Sequence, residues 1–260
     1  MQWVIVVPVL DEAPALPGLL GELAACGQLA RAVFADNGSR DGSPELVRAA
    51  GGRVVREPRR GYGFACLAGV GAARALGARV VVVMEGDGTD DPAEAARLAA
   101  PVLAGELDLI IGSRRRAARA GGMPLHQRAG NRVAAAALRA LFGVRLPDNG
   151  PFRAVRLDLL DALAMERRPF AWTTEMTAKA ALGGARIGWL DTGYRRRIGS
   201  SKIGGSLSGT LRASRDILLT LARLRLSSPL ARRPSAAGTD AASPPGHPRD
   251  PSPSSGPGPQ

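Results

Sequence analysis

With 260 residues, 45% of them apolar, the chain has material for one large domain or a domain with an appendage, yet no uninterrupted apolar run of the roughly 20 residues that a membrane span needs. Its formal charge of +12 rests on arginine, since Lys179 and Lys202 are the only lysines; with aromatics at 4%, the basic segments lack the interleaved rings that stack bases, so no nucleic-acid partner is expected. Cys26 and Cys66 have no CxxC or other metal spacing and read as free thiols of a reducing compartment, while His126 and His247 are too far apart for a histidine metal cluster.

Residues 4–7 read as a short buried strand that begins without the basic and apolar regions of a signal peptide, so a cytoplasmic location is expected. A helix over 15–23 follows, then a strand over 31–35 and a helix over 41–50. The pattern continues with a short strand over 53–56, a Gly/Ala-rich helix over 62–76, a central strand over 80–84, a helix over 92–103 and a strand over 107–111. Strands alternating with helical segments of this length predict an α/β fold, a mostly parallel sheet flanked by helices on both faces. Right-handed crossovers then gather the carboxyl ends of the strands on one edge.

Beyond this run lie a Gly/Arg loop over 112–124, an amphipathic helix over 125–142, a strand within 150–155, a helix over 174–182 and a strand over 187–190. A last helix over 206–226 carries leucines on one face and Arg212, Arg215, Arg223 and Arg225 elsewhere. Two readings of it stand: packing on the core, or lying on an anionic membrane surface with its arginines at the headgroups. The Ser/Pro/Gly-rich composition from 227 onward predicts a disordered tail. The expected organisation is therefore a single α/β domain over 1–204, an amphipathic helix over 205–226 and a tail over 227–260.

Charge is unevenly spread. Residues 1–110 hold 10 Arg against 14 Asp and Glu, whereas residues 111–226 hold 22 Lys and Arg against 7 acids. Between Arg114 and Arg156, ten arginines face one acid, Asp148. An acidic half suited to a cation precedes a basic half whose field attracts an anionic ligand or an anionic membrane.

The central β-branched run stops on Glu85-Gly86-Asp87-Gly88-Thr89-Asp90-Asp91-Pro92. Residues two apart in a strand point the same way, so Glu85 and Asp87 converge just past the strand end. Open α/β sheets bind ligands at that edge. Two hard oxygen donors there suit a divalent cation serving a phosphate; the alternative is a solvated acidic turn that caps the helix starting near Asp91. The first strand ends in Pro8-Val9-Leu10-Asp11-Glu12 and the second in Asp36-Asn37-Gly38-Ser39-Arg40-Asp41-Gly42, where Asp36 and Asn37 have the groups to pair with a base edge or a ribose. Gly61-Tyr62-Gly63-Phe64-Ala65 opens a helix, and small residues such as Gly63 permit close backbone approach to a ligand. A dinucleotide fingerprint would have to follow the first strand, where Pro8 and two acids stand instead; a Walker A loop and a GxSxG elbow are also absent.

Together, Val7-Pro8-Val9-Leu10-Asp11-Glu12, the Asp36 to Gly42 segment, and Glu85-Gly86-Asp87 with Asp91-Pro92 resemble the signatures of family 2 glycosyltransferases with a GT-A fold. Ile111-Gly112-Ser113-Arg114, Asn149-Gly150-Pro151-Phe152-Arg153, Trp172-Thr173-Thr174-Glu175-Met176 and the YRRRIGSSK segment from Tyr194 to Lys202 are similar to the dolichyl- or polyprenyl-phosphate sugar synthase branch. This resemblance implies that Pro8, Leu10, Glu12 and Asp36 line a nucleoside pocket with Asn37 beside them. It implies that Glu85 and Asp87, separated by Gly86, match the paired acids that hold Mg²⁺ or Mn²⁺ against the donor diphosphate. Arg114, with Arg128 as a second, matches an arginine near the acceptor phosphate, and Arg197 and Lys202 match basic residues on a loop that closes over the phosphates. Glu85 departs from the pattern, since the family usually has Asp there. Its extra methylene leaves open whether it binds the metal directly or through water, with Asp87 as the main ligand.

The implied activity is metal-dependent, inverting transfer of a sugar from a nucleoside diphosphate sugar to a polyprenyl phosphate. The metal, held by Asp87, would stabilise the leaving diphosphate together with Arg197 and Lys202. An acceptor phosphate monoester, with a second pKa of about 6, is mostly dianionic at neutral pH and needs no general base; Arg114 and Arg128 would orient it. Two alternatives stay open. One is a hydroxyl acceptor, for which Asp90, Asp91 or Glu175 would serve as base; the other is a nucleotide-sugar-binding module without turnover. The expected setting is cytoplasmic, with the inner face of the membrane as a peripheral site.

Overall fold

Runs of Val and Ile set the interior, and every residue of the second, fourth and fifth strands is buried. The computed structural model describes residues 1–115, 125–166, 171–199 and 207–227. Strands β1 (Trp3–Val9), β2 (Ala32–Asp36), β3 (Arg53–Arg56), β4 (Val80–Val83), β5 (Leu109–Ser113), β6 (Arg153–Arg156) and β7 (Ile187–Asp191) form one sheet in the order β3-β2-β1-β4-β6-β5-β7. Around it lie helices α1 (Leu16–Ala25), α2 (Ser43–Ala49), α3 (Tyr62–Ala75), α4 (Ala95–Leu103), α5 (Leu125–Phe142), α6 (Leu157–Ala162), α7 (Trp172–Leu182) and α8 (Leu207–Ser227).

Alternation along each strand splits the core into two layers. Ile5, Val7 and Val9 pack with Leu16, Leu19 and Leu23 of α1 and Leu98 and Val102 of α4. Val4, Val6, Val81 and Val83 face the other way, toward Val70 of α3, Leu160 of α6 and Trp172 and Met176 of α7. A third cluster joins Leu138 and Phe142 of α5 to Ala178 of α7 and Leu221 of α8. The first strands wind outward from β1 to β3, after which the chain returns to place β4 on the other side of β1. That reversal opens a crevice at the carboxyl ends of β1 and β4, the place where such sheets take ligands.

The expected mostly parallel α/β sheet is therefore present, with one exception. β6 runs antiparallel to both β4 and β5, so its first residue, Arg153, lies at the same edge as the last residues of its neighbours. The short helix α6 was not expected from the periodicity; six residues are too few to show a face. The helix expected over 92–103 begins as a 3-10 turn, Pro92–Glu94, whose cap is the Asp91 carboxylate accepting from Ala93 N. Most of the Gly/Arg loop, 116–124, and the tail from 228 lie outside the described residues.

Asp108 fastens the far side of the sheet. Its buried carboxylate takes the Arg186 guanidinium in a two-pronged contact (3.1 and 2.9 Å), the Arg186 backbone N–H at 2.8 Å, and Arg156 Nη1 at 2.9 Å. One side chain thus links the start of β5 to the end of β6 and the approach to β7. The hydrogen bond from Arg186, working against burial, holds the Asp108 carboxyl below its usual range. A depressed native pKa means stability that is present above the unfolded-state value and lost as pH falls through the native one. Asp108→Asn is expected to lower stability by about 1–3 kcal/mol at pH 7. In urea titrations across an acid series, that difference should shrink toward zero once Asp108 is protonated in the native wild type.

Candidate active site

Three strand ends build the crevice. Pro8 lies beyond the last register pair of β1 with β4, Val6 opposite Val83. The loop after β1 is stitched to the loop after β2. Asp11 Oδ1 accepts from Arg40 N (2.7 Å), Asp41 Oδ2 from Ala13 N (2.8 Å), and Ser43 Oγ from Glu12 N (2.9 Å). Leu10 is half-buried in this turn, and Asp11 adopts a left-handed backbone with φ of 51°. Asp36 is buried and accepts from Ser39 N at 3.0 Å. Asn37 is committed on every polar atom: its amide nitrogen donates to the carbonyls of Glu57 (3.0 Å) and Arg59 (2.8 Å), and its oxygen accepts from Gly61 N (2.7 Å). Asn37 therefore fixes the entry to α3, where Gly63 is buried in the first turn.

The acids after β4 form the centre. Gly86 fits tightly here, since a Cβ would stand 3.1 Å from the Pro8 carbonyl oxygen and 3.3 Å from Val9, closer than most side chains come. Asp87 is buried; its Oδ1 accepts from Thr89 N (3.0 Å) and Thr89 Oγ1 (2.6 Å), and its Oδ2 pairs with Arg197 Nη1 at 2.9 Å. Glu85 Oε1 accepts from the Tyr62 hydroxyl at 2.7 Å. Asp90, 1% exposed, spends Oδ2 on the Glu85 N–H (3.0 Å), while its buried Oδ1 has no partner among the described residues. Burial, with the negative charge of Asp87 beside it, pushes the Glu85 carboxyl up to about 8. Burial also lifts Asp90, to about 7.

Arginines from two other strand ends flank these acids, Arg197 by direct pairing with Asp87 and Arg114 through the field it shares with Asp90. Arg197, on the segment after β7, also pairs with Glu12 Oε1 at 2.5 Å, so one guanidinium spans the ends of β1 and β4. Its segment is pinned to the β4 turn by Arg195 N to Thr89 O (2.8 Å) and Ile198 N to Asp87 O (3.2 Å). Arg114, just past β5, is nearly buried and grips Asp148 through Nε (2.7 Å) and Nη2 (3.0 Å), with the Tyr194 ring 5.5 Å from its guanidinium carbon. Burial opposes its charge, yet Asp148 outweighs this and raises its pKa. Arg128 is half-buried on α5, and among the described residues no hydrogen bond or ion pair joins it to these acids. Lys202 lies outside the described residues.

Sequence reasoning passed over Tyr62 and the partnership of Asp148 with Arg114, because both depend on residues 23 and 34 positions away. It also gave Arg153 no role. That side chain is fully buried and holds the 149–151 turn and α7 together, donating to the carbonyls of Gly150 and Thr173 and to Asn149 Oδ1. Burial lowers its pKa to about 10. The one available signal was position: an arginine directly after the apolar Pro151-Phe152 and before Ala154-Val155.

The acids fit a divalent cation in part. Among the described residues no three His, Cys, Asp or Glu side chains form a ready metal site. Glu85 and Asp87 would supply two oxygens, leaving the remainder to phosphate and water, the usual arrangement where Mg²⁺ serves a nucleotide. Arg197 already occupies Asp87 Oδ2 and would have to give way.

Comparison with known proteins agrees with this geometry. The family model described as Glycosyl transferase family 2 matches residues 4–161. An uncharacterised glycosyltransferase of Mycobacterium tuberculosis is 35% identical over 82% of this chain and 94% of its own length. The polyprenol monophosphomannose synthase of Mycolicibacterium smegmatis is 31% identical over 78% of this chain and 81% of its own. Among solved structures, glucosyl-3-phosphoglycerate synthase from M. tuberculosis, in complex with Mn²⁺, UDP and phosphoglyceric acid, superposes with a TM-score of 0.69. It is 22% identical and covers 86% of this chain and 78% of its own, a likeness of fold.

The Arg114–Asp148 pair gives a direct test. Asp148→Ala leaves a buried guanidinium without its counter-charge and is expected to cost about 3–5 kcal/mol in denaturant unfolding, whereas Arg97→Ala, which removes an exposed i,i+3 pair with Glu94, should change stability by about 0–1 kcal/mol.

Proposed function

The chain belongs to glycosyl transferase family 2, and on that premise we propose that it moves a sugar from a nucleoside diphosphate sugar to a polyprenyl phosphate, with inversion at the anomeric carbon. The observation that carries the reading is the gathering at one sheet edge of the β4 carboxylates, with Arg197 paired to Asp87, and of Arg114, paired to Asp148. A divalent cation, Mg²⁺ or Mn²⁺, held by Glu85 and Asp87 would supply Lewis-acid stabilisation to the departing diphosphate. Arg197, displaced from Asp87, is then free to bind the same diphosphate, with Lys202 proposed beside it. Pro8, Leu10, Glu12 and Asp36 would flank the nucleoside, and Asn37 and Gly63 would shape the pocket wall. Arg114, aimed by Asp148, would orient the acceptor phosphate together with Arg128.

A phosphate acceptor fits the state of the local acids. Transfer to a hydroxyl needs a carboxylate base. Of the three candidates, Asp91 caps the turn at Ala93 and Glu175 is fully buried against Lys179 at 2.7 Å, which leaves Asp90, with one oxygen on Glu85 N and the other unpartnered among the described residues. A dianionic phosphate needs none of them. The names of relatives support the same acceptor: besides the synthase above, an undecaprenyl-phosphate mannosyltransferase of Micrococcus luteus is 29% identical over 80% of this chain.

A lipid acceptor calls for a way to meet a membrane, and among the described residues no helix is long and apolar enough to cross one. We assign this contact to α8. Ile217, Leu221 and Leu224 pack on α5 and α7, so the core-packing reading holds for that face. The opposite face leaves Leu218, Leu219 and Leu226 at 42%, 43% and 85% exposure, with Arg215 and Arg223 beside them. Such a face suits peripheral binding to anionic lipid.

The deciding assay offers the full chain a panel of nucleoside diphosphate sugars, a short-chain polyprenyl phosphate and Mn²⁺ or Mg²⁺, and measures lipid-linked sugar by mass spectrometry. Product should disappear with EDTA and fall by about 100-fold or more in Asp87→Asn; transfer to sugar hydroxyls instead would overturn the acceptor. Arg197→Gln should bind Mn²⁺ several-fold more tightly than wild type in the absence of donor, on the order of 5-fold for a partly exposed ion pair, while turning over more slowly. Paramagnetic resonance of free Mn²⁺ reads the first effect and the product assay the second. In flotation with phosphatidylglycerol vesicles, the wild type should rise with the lipid and Leu219→Asp/Leu226→Asp should stay behind.

A further inference from the structure

The departure at position 85 has a partner elsewhere in the chain. Glutamate brings one more rotatable bond than aspartate, and fixing it costs additional rotamer entropy. Here the backbone and the carboxylate of Glu85 are each held. Its N–H is bound by Asp90, and its Oε1 accepts from the Tyr62 hydroxyl at 2.7 Å. Tyr62 is itself immobilised as the first residue of α3, its ring standing edge-on to Trp172 at 6.1 Å and 70°. Trp172 is fully buried.

We propose that Tyr62 is a positioning residue for the cation site: by holding Glu85 Oε1 it aims Oε2 alone at the metal, so Tyr62 and Glu85 operate as a matched pair. The reading rests on the cation proposed above. An aspartate at 85 would fall one methylene short of the Tyr62 hydroxyl, so the role of Tyr62 belongs to glutamate at this position. Glu85 then acts as a one-oxygen ligand, and the two oxygens of Asp87 are shared between Thr89 and whatever replaces Arg197.

The test is a double-mutant cycle on the full chain, with Mn²⁺ titrated alone and with UDP or GDP while paramagnetic resonance counts the free ion. The four proteins are wild type, Tyr62→Phe, Glu85→Asp, and both together, with thermal melts to confirm folding. Tyr62→Phe removes one hydroxyl that donates to a carboxylate, and Mn²⁺ affinity is expected to drop by about 10-fold or more. In the Glu85→Asp background the same change should have no effect, because the contact is already gone. Equal Mn²⁺ affinity in wild type and Tyr62→Phe, or the same loss in both backgrounds, would overturn the pairing while leaving the metal site standing. A wild type that binds no Mn²⁺ under any of these conditions would overturn the metal reading, and the pairing with it.

Discussion

Crowded carboxylates in a low-dielectric crevice are the constraint around which this molecule is arranged. Glu85, Asp87 and Asp90 stand within six residues at the end of a buried strand, where an unpaired charge is expensive. Two are answered from distant parts of the chain, by the Tyr62 hydroxyl and the Arg197 guanidinium, and Asp90 is answered locally by the Glu85 amide. Arg197 carries the largest share, since it lowers the repulsion at Asp87 and reaches Glu12 as well. The segment after β7 is thereby held across the mouth of the crevice by the charges that a cation would neutralise.

The reversed strand β6 serves the same site from behind. An antiparallel strand between β4 and β5 brings its amino end to the ligand edge, and with it the turn that carries Asp148. Arg153 anchors that turn without any carboxylate in its own contacts, using carbonyl oxygens and an amide instead. Five fixed donors suit such a ring of acceptors in a way that a single ammonium does not. Asp148, held in place by this scaffold, in turn aims Arg114. The basic half of the sequence thus reaches the acidic half through one reversed strand.

Much of this was legible in the chain itself. The β-branched runs gave the buried strands, and the acids placed at their carboxyl ends marked the edge where Glu12, Asp36, Glu85 and Asp87 gather. What escaped was pairing at a distance. Asn37 has the functional groups of a base-reading residue, yet all of them are consumed by the loop before α3, because a buried amide must satisfy its donors and acceptor. The direction of β6 was hidden for a similar reason: periodicity reports which face a residue takes, and both directions of a strand give the same alternation. Glu85 lacks any turn-forming merit, which singled it out in the sequence, but the tyrosine that holds it lies a helix away.

At the opposite margin of the sheet, β3 consists of two half-buried valines between two exposed arginines. An open strand edge is a template on which another chain can pair and start an aggregate. Arg53 folds onto the Ala30 carbonyl, and Arg56 projects its charge at the other end of the same four-residue strand. A second copy approaching this edge would meet like charge at both ends and only two residues of pairing between them. The sheet therefore stops growing at β3, which protects an otherwise valine-rich, self-complementary interior from its neighbours.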